Sequence, residues 1–357
     1  VRSADILGRC PTELKIIEHI AAGSAPTTTV GPGECSRIFT GAPIPPGSDG
    51  VVRQEHTTSL SEALVRIEED TDALGHIRRR GEDIARDSLV VAKGTELEPA
   101  HLGILASVAE SRVPVYRKPR VAVMTSGDEI ADLDERDSIL DGSKIGSSNT
   151  YTLLSAVQLS GGLPVPLGIA KDDPADIRER FGSAPAVDLF VTSGGVSVGD
   201  HDHLRDVVQD LGGELLFWRI KMRPGKPVAF GKINGTPWIG LPGNPVSTMV
   251  TFELLVRPAI RKMLGLSRLY RRPVSVRVSE PFASNTSRKD FVRAIVESKD
   301  GELTASTTGA QGSGILTSMA KCNALLIVPG DVKEVAAGET MKAILLHDNL
   351  HIESPPY

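Results

Sequence analysis

The spacing of apolar residues changes twice along the chain. Through residues 1–80 they come in short runs, such as Ser36-Arg-Ile-Phe-Thr and Gly50-Val-Val-Arg-Gln, cut by Gly/Pro turns at 31–33 and 41–50. That is the pattern of short strands in a small β-barrel-like module. Pro99-Ala-His-Leu-Gly-Ile-Leu-Ala-Ser-Val-Ala then predicts a helix with proline in its first turn. Arg117-Lys-Pro-Arg reads as a linker. From Arg120 the text alternates. Val121-Ala-Val-Met-Thr, Val165-Pro-Leu-Gly-Ile, Leu189-Phe-Val, Val228-Ala-Phe and Trp238-Ile-Gly predict strands. Between and after them, helices are predicted from Ser147 or Ser148 to Leu159, from Asp172-Asp-Pro, over 201–211 and over 245–264. Such alternation implies a doubly wound α/β sheet. After Arg271 short β runs return: Val274-Ser-Val-Arg-Val, Ala324-Leu-Leu-Ile-Val and Met341-Lys-Ala-Ile-Leu-Leu.

In a doubly wound sheet, ligands bind beyond the carboxyl ends of the strands. The glycine and acid clusters fall at those ends. Asp188-Leu-Phe-Val-Thr-Ser-Gly-Gly-Val-Ser-Val-Gly-Asp200 runs from an apolar strand through a glycine turn to carboxylates at Asp200 and Asp202. Glycine there lets backbone approach a ligand, and free N–H groups at a helix start attract phosphate. Thr192-Ser-Gly-Gly195 by itself reads equally well as a tight turn. Its acidic sequel and the downstream Arg223-Pro-Gly-Lys-Pro227 favour a ligand site. Ser126-Gly-Asp-Glu129 repeats the design at another strand end, with a helix cap as the plainer alternative. Gly240-Leu-Pro-Gly-Asn-Pro245 stiffens a loop ahead of a helix. Oxygen ligands spread over separate strand ends suit Mg²⁺. His56, His76, His101, His201 and His203 lack zinc spacing, and neither a Walker lysine motif nor a complete G-x-G-x-x-G occurs.

Composition narrows the class further. Forty per cent hydrophobic residues describe a globular protein, and a net charge of −5 argues against nucleic-acid binding by bulk electrostatics. No apolar run is long enough to span a bilayer. Cys10, Cys35 and Cys322 are too few and too scattered for a disulfide framework or a metal site, which suits reduced thiols in the cytoplasm. The opening Val1-Arg-Ser lacks both an initiator Met and a signal peptide, and reads as a cut from a longer chain.

Taken together, a series of motifs resembles the MoeA family of molybdopterin molybdenumtransferases, which includes the gephyrin E domain. They are Thr40-Gly-Ala-Pro, Val51-Val-Arg-Gln-Glu55, Arg79-Arg-Gly-Glu-Asp-Ile84, Thr125-Ser-Gly-Asp-Glu129, Ser148-Asn149, Thr192-Ser-Gly-Gly-Val-Ser-Val-Gly-Asp200, Arg223-Pro-Gly-Lys-Pro227, Gly240-Leu-Pro-Gly-Asn-Pro-Val-Ser247, Gly312-Ser-Gly and Leu316-Thr-Ser-Met319. They occur in family order along the whole chain. The resemblance implies an elongated multi-domain subunit that dimerises. It divides into a β-rich lid-like module over 1–78, a linker and helical part of the dimerisation domain over 79–118, a molybdopterin-binding α/β domain over 119–268 and a β-barrel-like domain over 269–357. It implies insertion of molybdenum from molybdate into adenylated molybdopterin with release of AMP, assisted by Mg²⁺. By position, Glu129, Asp172, Asp202, Asp83 and Thr40 would act in catalysis, and Glu129, Asp200 and Asp202 would hold the metal. Substrate would be bound by Thr192, Ser193, Gly194, Gly195, Arg219, Arg223, Lys226, Pro242, Gly243, Asn244, Pro245 and Arg78, with Ser313 and Ser318 as looser matches. An adenylyltransferase is the expected partner. The family's N-terminal helical segment and its Asp-Gly-Tyr-Ala stretch, which carries a functional acid, are missing before Val1. The competing readings are a molybdopterin adenylyltransferase and a non-catalytic scaffold of the gephyrin E type.

Overall fold

The computed structural model describes residues 1–357 except 72, 197–203, 285–286, 300 and 348–357, and the side chain of Arg205. The chain divides into two compact units, Val1–Val90 and Val91–Tyr357.

The first unit is built on strands β1 (Thr12–Ile20), β2 (Glu34–Ile38), β3 (Thr57–Ser61) and β4 (Leu64–Ile67). Their order is β2-β1-β4-β3, with β1 and β2 parallel and the other pairs antiparallel. It is an open sheet, so the barrel expected of this module is corrected. The expected strand at Gly50–Gln54 does not form either: Val51 N–H donates to Ala73 O, and a 3-10 turn begins at Gln54. Ile6, Leu14, Cys35 and Ile67 form the small core.

The second unit opens with α1 (Pro99–Ser107), whose proline stands in the first turn as expected. Its main sheet holds β5 (Arg120–Ser126), β6 (Leu163–Ala170), β7 (Leu189–Ser193), β8 (Glu214–Trp218), β10 (Ala229–Ile233) and β11 (Thr236–Leu241). A two-residue strand, β9 (Met222–Arg223), lies between β8 and β10 in sequence but belongs to another sheet. The order is β8-β10-β11-β7-β5-β6. The four strands from β11 to β6 run parallel, and β8 and β10 add an antiparallel edge. Alternate residues of β5 serve opposite layers, because strand side chains alternate between faces. Val121 and Val123 pack with Leu153, Val157, Phe252 and Ile260, whereas Ala122 and Met124 pack with Ile177, Phe181, Val207 and Trp238. Burial of each large side chain contributes about 1.5–3 kcal/mol. Both faces of the sheet are thereby covered by helices.

Those helices are α2 (Ser148–Leu159), α3 (Pro174–Gly182), α4 (Leu204–Asp210), α5 (Pro245–Thr251) and α6 (Arg257–Met263). Asp173 caps α3 by accepting from Ala175 and Asp176 N–H. Ser147 occupies the N-cap position of α2 without a side-chain cap bond; its hydroxyl instead bonds Thr150 Oγ1 at 2.6 Å. The expected helix over 245–264 is widened into a π-turn at Phe252–Val256. Pro258 supplies the reason: it has no N–H for the carbonyl four residues earlier and its ring crowds that carbonyl.

Beyond Arg271, strands β12 (Val274–Val278), β13 (Lys289–Lys299), β14 (Glu302–Thr307), β15 (Ala324–Val328) and β16 (Thr340–Leu345) pair in the cycle β13-β14-β12-β16-β15-β13. The ring closes into a small barrel around Val276, Val292, Ala305, Leu326 and Ala343, with α7 (Leu316–Lys321) alongside. Among the described residues no helix is long and apolar enough to cross a membrane.

Candidate functional site

The carboxyl ends of β5, β7 and β11 surround a cleft of about 470 Å³. Three loops supply its walls. The first leaves β5 at Ser126 and passes Gly127 to Glu129; the second is Ser193-Gly194-Gly195 after β7; the third is Pro242-Gly243-Asn244-Pro245 after β11. Asp172, after β6, and Pro227 also line it, with Ser147, Ser148 and Asn149.

Two glycines are required by this geometry. Gly194 has φ +92°, and a Cβ there would lie 2.6 Å from Ser126 O. Gly127 has φ +146°, and its Cβ would stand 2.7 Å from the Glu129 carboxylate, which folds back over it. A side chain at Gly194 would fill the space where two loops converge, and one at Gly127 would displace the Glu129 carboxylate.

A hydrogen-bonded frame beneath the loops fixes them. Asn149 Nδ2 donates to Gly243 O at 2.7 Å and to Ser193 Oγ at 2.9 Å. Ser193 Oγ in turn donates to Pro242 O at 2.9 Å. The carbonyl of Gly243 can only accept, which settles which end of the Asn149 amide faces it. Under the first loop, the buried hydroxyls of Thr125, Ser147 and Thr150 bond one another. Networks of this kind rigidify a site, and the buried Asn149 Oδ1 has no partner among the described residues. Asn149, quoted in the sequence only as part of a motif, is thus the tie between two of the three loops; its place in the Ser-Asn pair ahead of a helix was the available signal.

Two acids face the cleft. Glu129 has no ion-pair or hydrogen-bond partner for its carboxylate among the described residues. Asp172 N–H donates to Asp128 Oδ1 at 3.1 Å, joining the acid loop of β5 to that of β6. Asp200 and Asp202 lie outside the described residues. Among the described residues no group of three or more His, Cys, Asp or Glu side chains gathers as a metal site.

The structure brings Glu129, Asp172, Ser193, Gly194, Gly195, Pro242, Gly243, Asn244 and Pro245 together in this one cleft. Other expected residues are placed elsewhere. The hydroxyl of Thr192 is buried and accepts from Trp238 Nε1 at 3.0 Å, so it braces the core. Ser318 is also buried, accepting from Arg293 Nε at 3.0 Å and donating to Ile315 O at 2.6 Å. Ser313 offers its carbonyl to Val246 N–H at 3.1 Å. That bond occupies a backbone donor at the start of α5, and Pro245 has none to give. Arg219, Arg223 and Lys226 stand on the connection that leads to the cleft wall at Pro227. Arg219 holds φ +104°, and Arg223 faces Asp290 at 3.4 Å. Thr40, Arg78 and Asp83 belong to the first unit, each in an exposed turn or loop.

Comparison with known proteins covers the same ground. Residues 1–109 match the MoeA N-terminal region (domain I and II), residues 122–262 a probable molybdopterin binding domain, and residues 275–346 the MoeA C-terminal region (domain IV). The chain is 36% identical to molybdopterin molybdenumtransferase 2 of Mycobacterium tuberculosis, over 96% of this chain and 85% of that protein. It is 34% identical to the molybdopterin molybdenumtransferase of a Nostoc strain, over 94% and 78%. Among solved structures, a molybdopterin biosynthesis MoeA protein from Pyrococcus horikoshii superposes with a TM-score of 0.79 at 27% identity, over 97% of this chain and 85% of that one.

Proposed function

The chain belongs to the MoeA family of molybdopterin molybdenumtransferases, enzymes of molybdenum cofactor biosynthesis, and we propose that it inserts molybdenum from molybdate into adenylated molybdopterin with release of AMP. The observation that carries this reading is the cleft, where three strand-end loops meet around the carboxylate of Glu129, which has no partner among the described residues. In the reaction the dithiolene thiols form Mo–S bonds as a molybdate oxygen leaves with their protons as water, and water hydrolyses the phosphoanhydride link to AMP. Both reactants are anions, so cations must offset their repulsion. Arg223, Lys226 and Arg219 are the side chains assigned to the phosphates and the molybdate. The Gly194–Gly195 and Gly243–Asn244 backbones position the pterin-linked nucleotide, and the Asn149 frame holds those loops before substrate arrives.

Magnesium fits the donor set, since it commonly takes one or two carboxylates with substrate oxygens completing its shell. Glu129 and Asp172 would hold it with Asp200 or Asp202, and when bound it neutralises charge that develops on the bridging oxygen. Thr40, Arg78 and Asp83 are assigned to the same reaction from the first unit. The reading takes in a homodimer acting in the cytoplasm, supplied by an adenylyltransferase. The two alternatives are weaker. Agreement with the relatives runs through all three matched regions, not the α/β domain alone, which disfavours a lone adenylyltransferase. A pure scaffold has no use for an unpaired acid in a cleft.

The test is direct. Full-length protein given adenylated molybdopterin, molybdate and Mg²⁺ should release AMP and yield active cofactor, and chelation of Mg²⁺ should stop both. AMP chemistry that requires ATP and unadenylated molybdopterin would select the adenylyltransferase instead.

A further inference from the structure

β9 is a two-residue strand with an unusual attachment. It lies in sequence between two strands of the α/β sheet, yet it pairs in parallel with the start of β13 in the barrel, setting Arg223 opposite Asp290. Arg288 Nη1 adds a bond to Met222 O at 3.2 Å. The barrel therefore fixes the backbone at the start of the Arg-Pro-Gly-Lys loop, while at its far end Lys226 O accepts from Ile220 N–H at 3.1 Å.

Asp290 does more than occupy the register. Its side chain is only 6% exposed and faces Arg223 Nη1 at 3.4 Å, while the Arg223 side chain is 33% exposed. Ser284, fully buried, donates its hydroxyl to Asp290 Oδ2 at 3.0 Å. A carboxylate withdrawn from water in this way carries a desolvation cost, and such pairs contribute little net stability against apolar replacements. What the arrangement does supply is direction. One nitrogen of the guanidinium faces a fixed anion, and among the described residues its remaining donors have no partner.

We propose that Asp290 is the positioning residue for Arg223, holding the guanidinium in the orientation in which it meets the anionic substrate. This rests on the reading above that Arg223 binds that substrate. The carboxylate acts only through Arg223 and touches no reacting atom.

A double-mutant cycle on the full-length protein tests it. Asp290→Asn keeps the shape and the Ser284 bond but removes the charge. Turnover should fall about tenfold to a hundredfold from misorientation, while the half-saturating molybdate concentration stays level or drops, because Arg223 keeps its charge. In an Arg223→Ala background the same substitution should change nothing further. Ser284→Ala, milder for folding, should show the same split at smaller size. Turnover at the wild-type rate in Asp290→Asn, or an equal loss with and without Arg223, overturns the proposal. If Arg223→Ala alone leaves turnover intact, the failure lies in the assignment of Arg223 to the substrate, and the inference falls with it.

Discussion

The two ends of the parallel sheet treat their carboxylates differently. At the amino ends, Asp188 stands just before β7. It accepts from Arg117 Nη1 at 2.6 Å, from Arg117 Nη2 and from Arg120 N–H at 2.8 Å. The Arg117 bonds hold its pKa below the ordinary carboxylate value, against the opposing effect of burial and with help from the Arg120 amide. At the carboxyl ends, Glu129 lies over Gly127 with no ion-pair partner among the described residues. Both are acids at the rim of the same sheet. An acid with a fixed cationic partner is already part of the fold, whereas one without a partner is free to meet a ligand. Partnership, more than charge, separates the structural end from the functional end.

The largest effect that bears on this contrast is expected at Glu129. Glu129→Gln removes a charge that no described residue pairs with, so the melting temperature should hardly move. Turnover should drop by about 10²–10³-fold if the carboxylate acts on the reacting centre. Comparable losses of turnover and of folded protein would make Glu129 a structural acid and erase the contrast.

Next in size is Gly194→Ala, which tests whether the carboxyl end is built around open backbone. The new Cβ would sit 2.6 Å from Ser126 O on a residue with φ +92°. Conformational strain and crowding together should destabilise the second unit by roughly 2–4 kcal/mol, read by denaturant unfolding, and weaken ligand binding. A variant as stable as the parent would mean that the loops of β5 and β7 can part without loss.

How much of this was legible in the sequence follows from the range of the interactions. β5 and β7 could be read because Val121–Thr125 and Leu189–Val191 are apolar runs that end in glycine turns, and a strand buried on both faces needs nothing more local than that. The gathering of Glu129, Asp172, Gly194 and Asn244 followed, since strand ends in such sheets share a crevice. What escaped depended on distant partners. Nothing beside Thr192 reveals that Trp238 will use its hydroxyl, and nothing beside Val246 reveals that Ser313 will take its N–H. The crossing of β9 to the barrel rests on two residues, too few for any periodicity. Closure of the barrel through β13 and β15 is also a long-range pairing that short alternating runs leave open, and its expectation came from the family resemblance.

The smallest expected effect sharpens the amino end of the comparison through pH. Asp188 has its pKa lowered in the folded state, and its unfolded value is about 4. A depressed folded pKa contributes stability that is fully present above the unfolded value and is lost as pH falls through the folded one. Arg117 is largely exposed, with 71% of its side-chain surface in water, so screening limits the contribution to about 1 kcal/mol. Asp188→Asn should therefore lower the melting temperature slightly at pH 7. The gap to the parent should shrink through the acid range and close once pH lies below both values. Turnover per folded molecule should stay unchanged, because the side chain stands at the end of the strand away from the cleft. A difference in stability that persists unaltered into acid would show that Asp188 acts through shape and not charge. A loss of turnover without a loss of stability would show that the two ends of the sheet are not functionally separate.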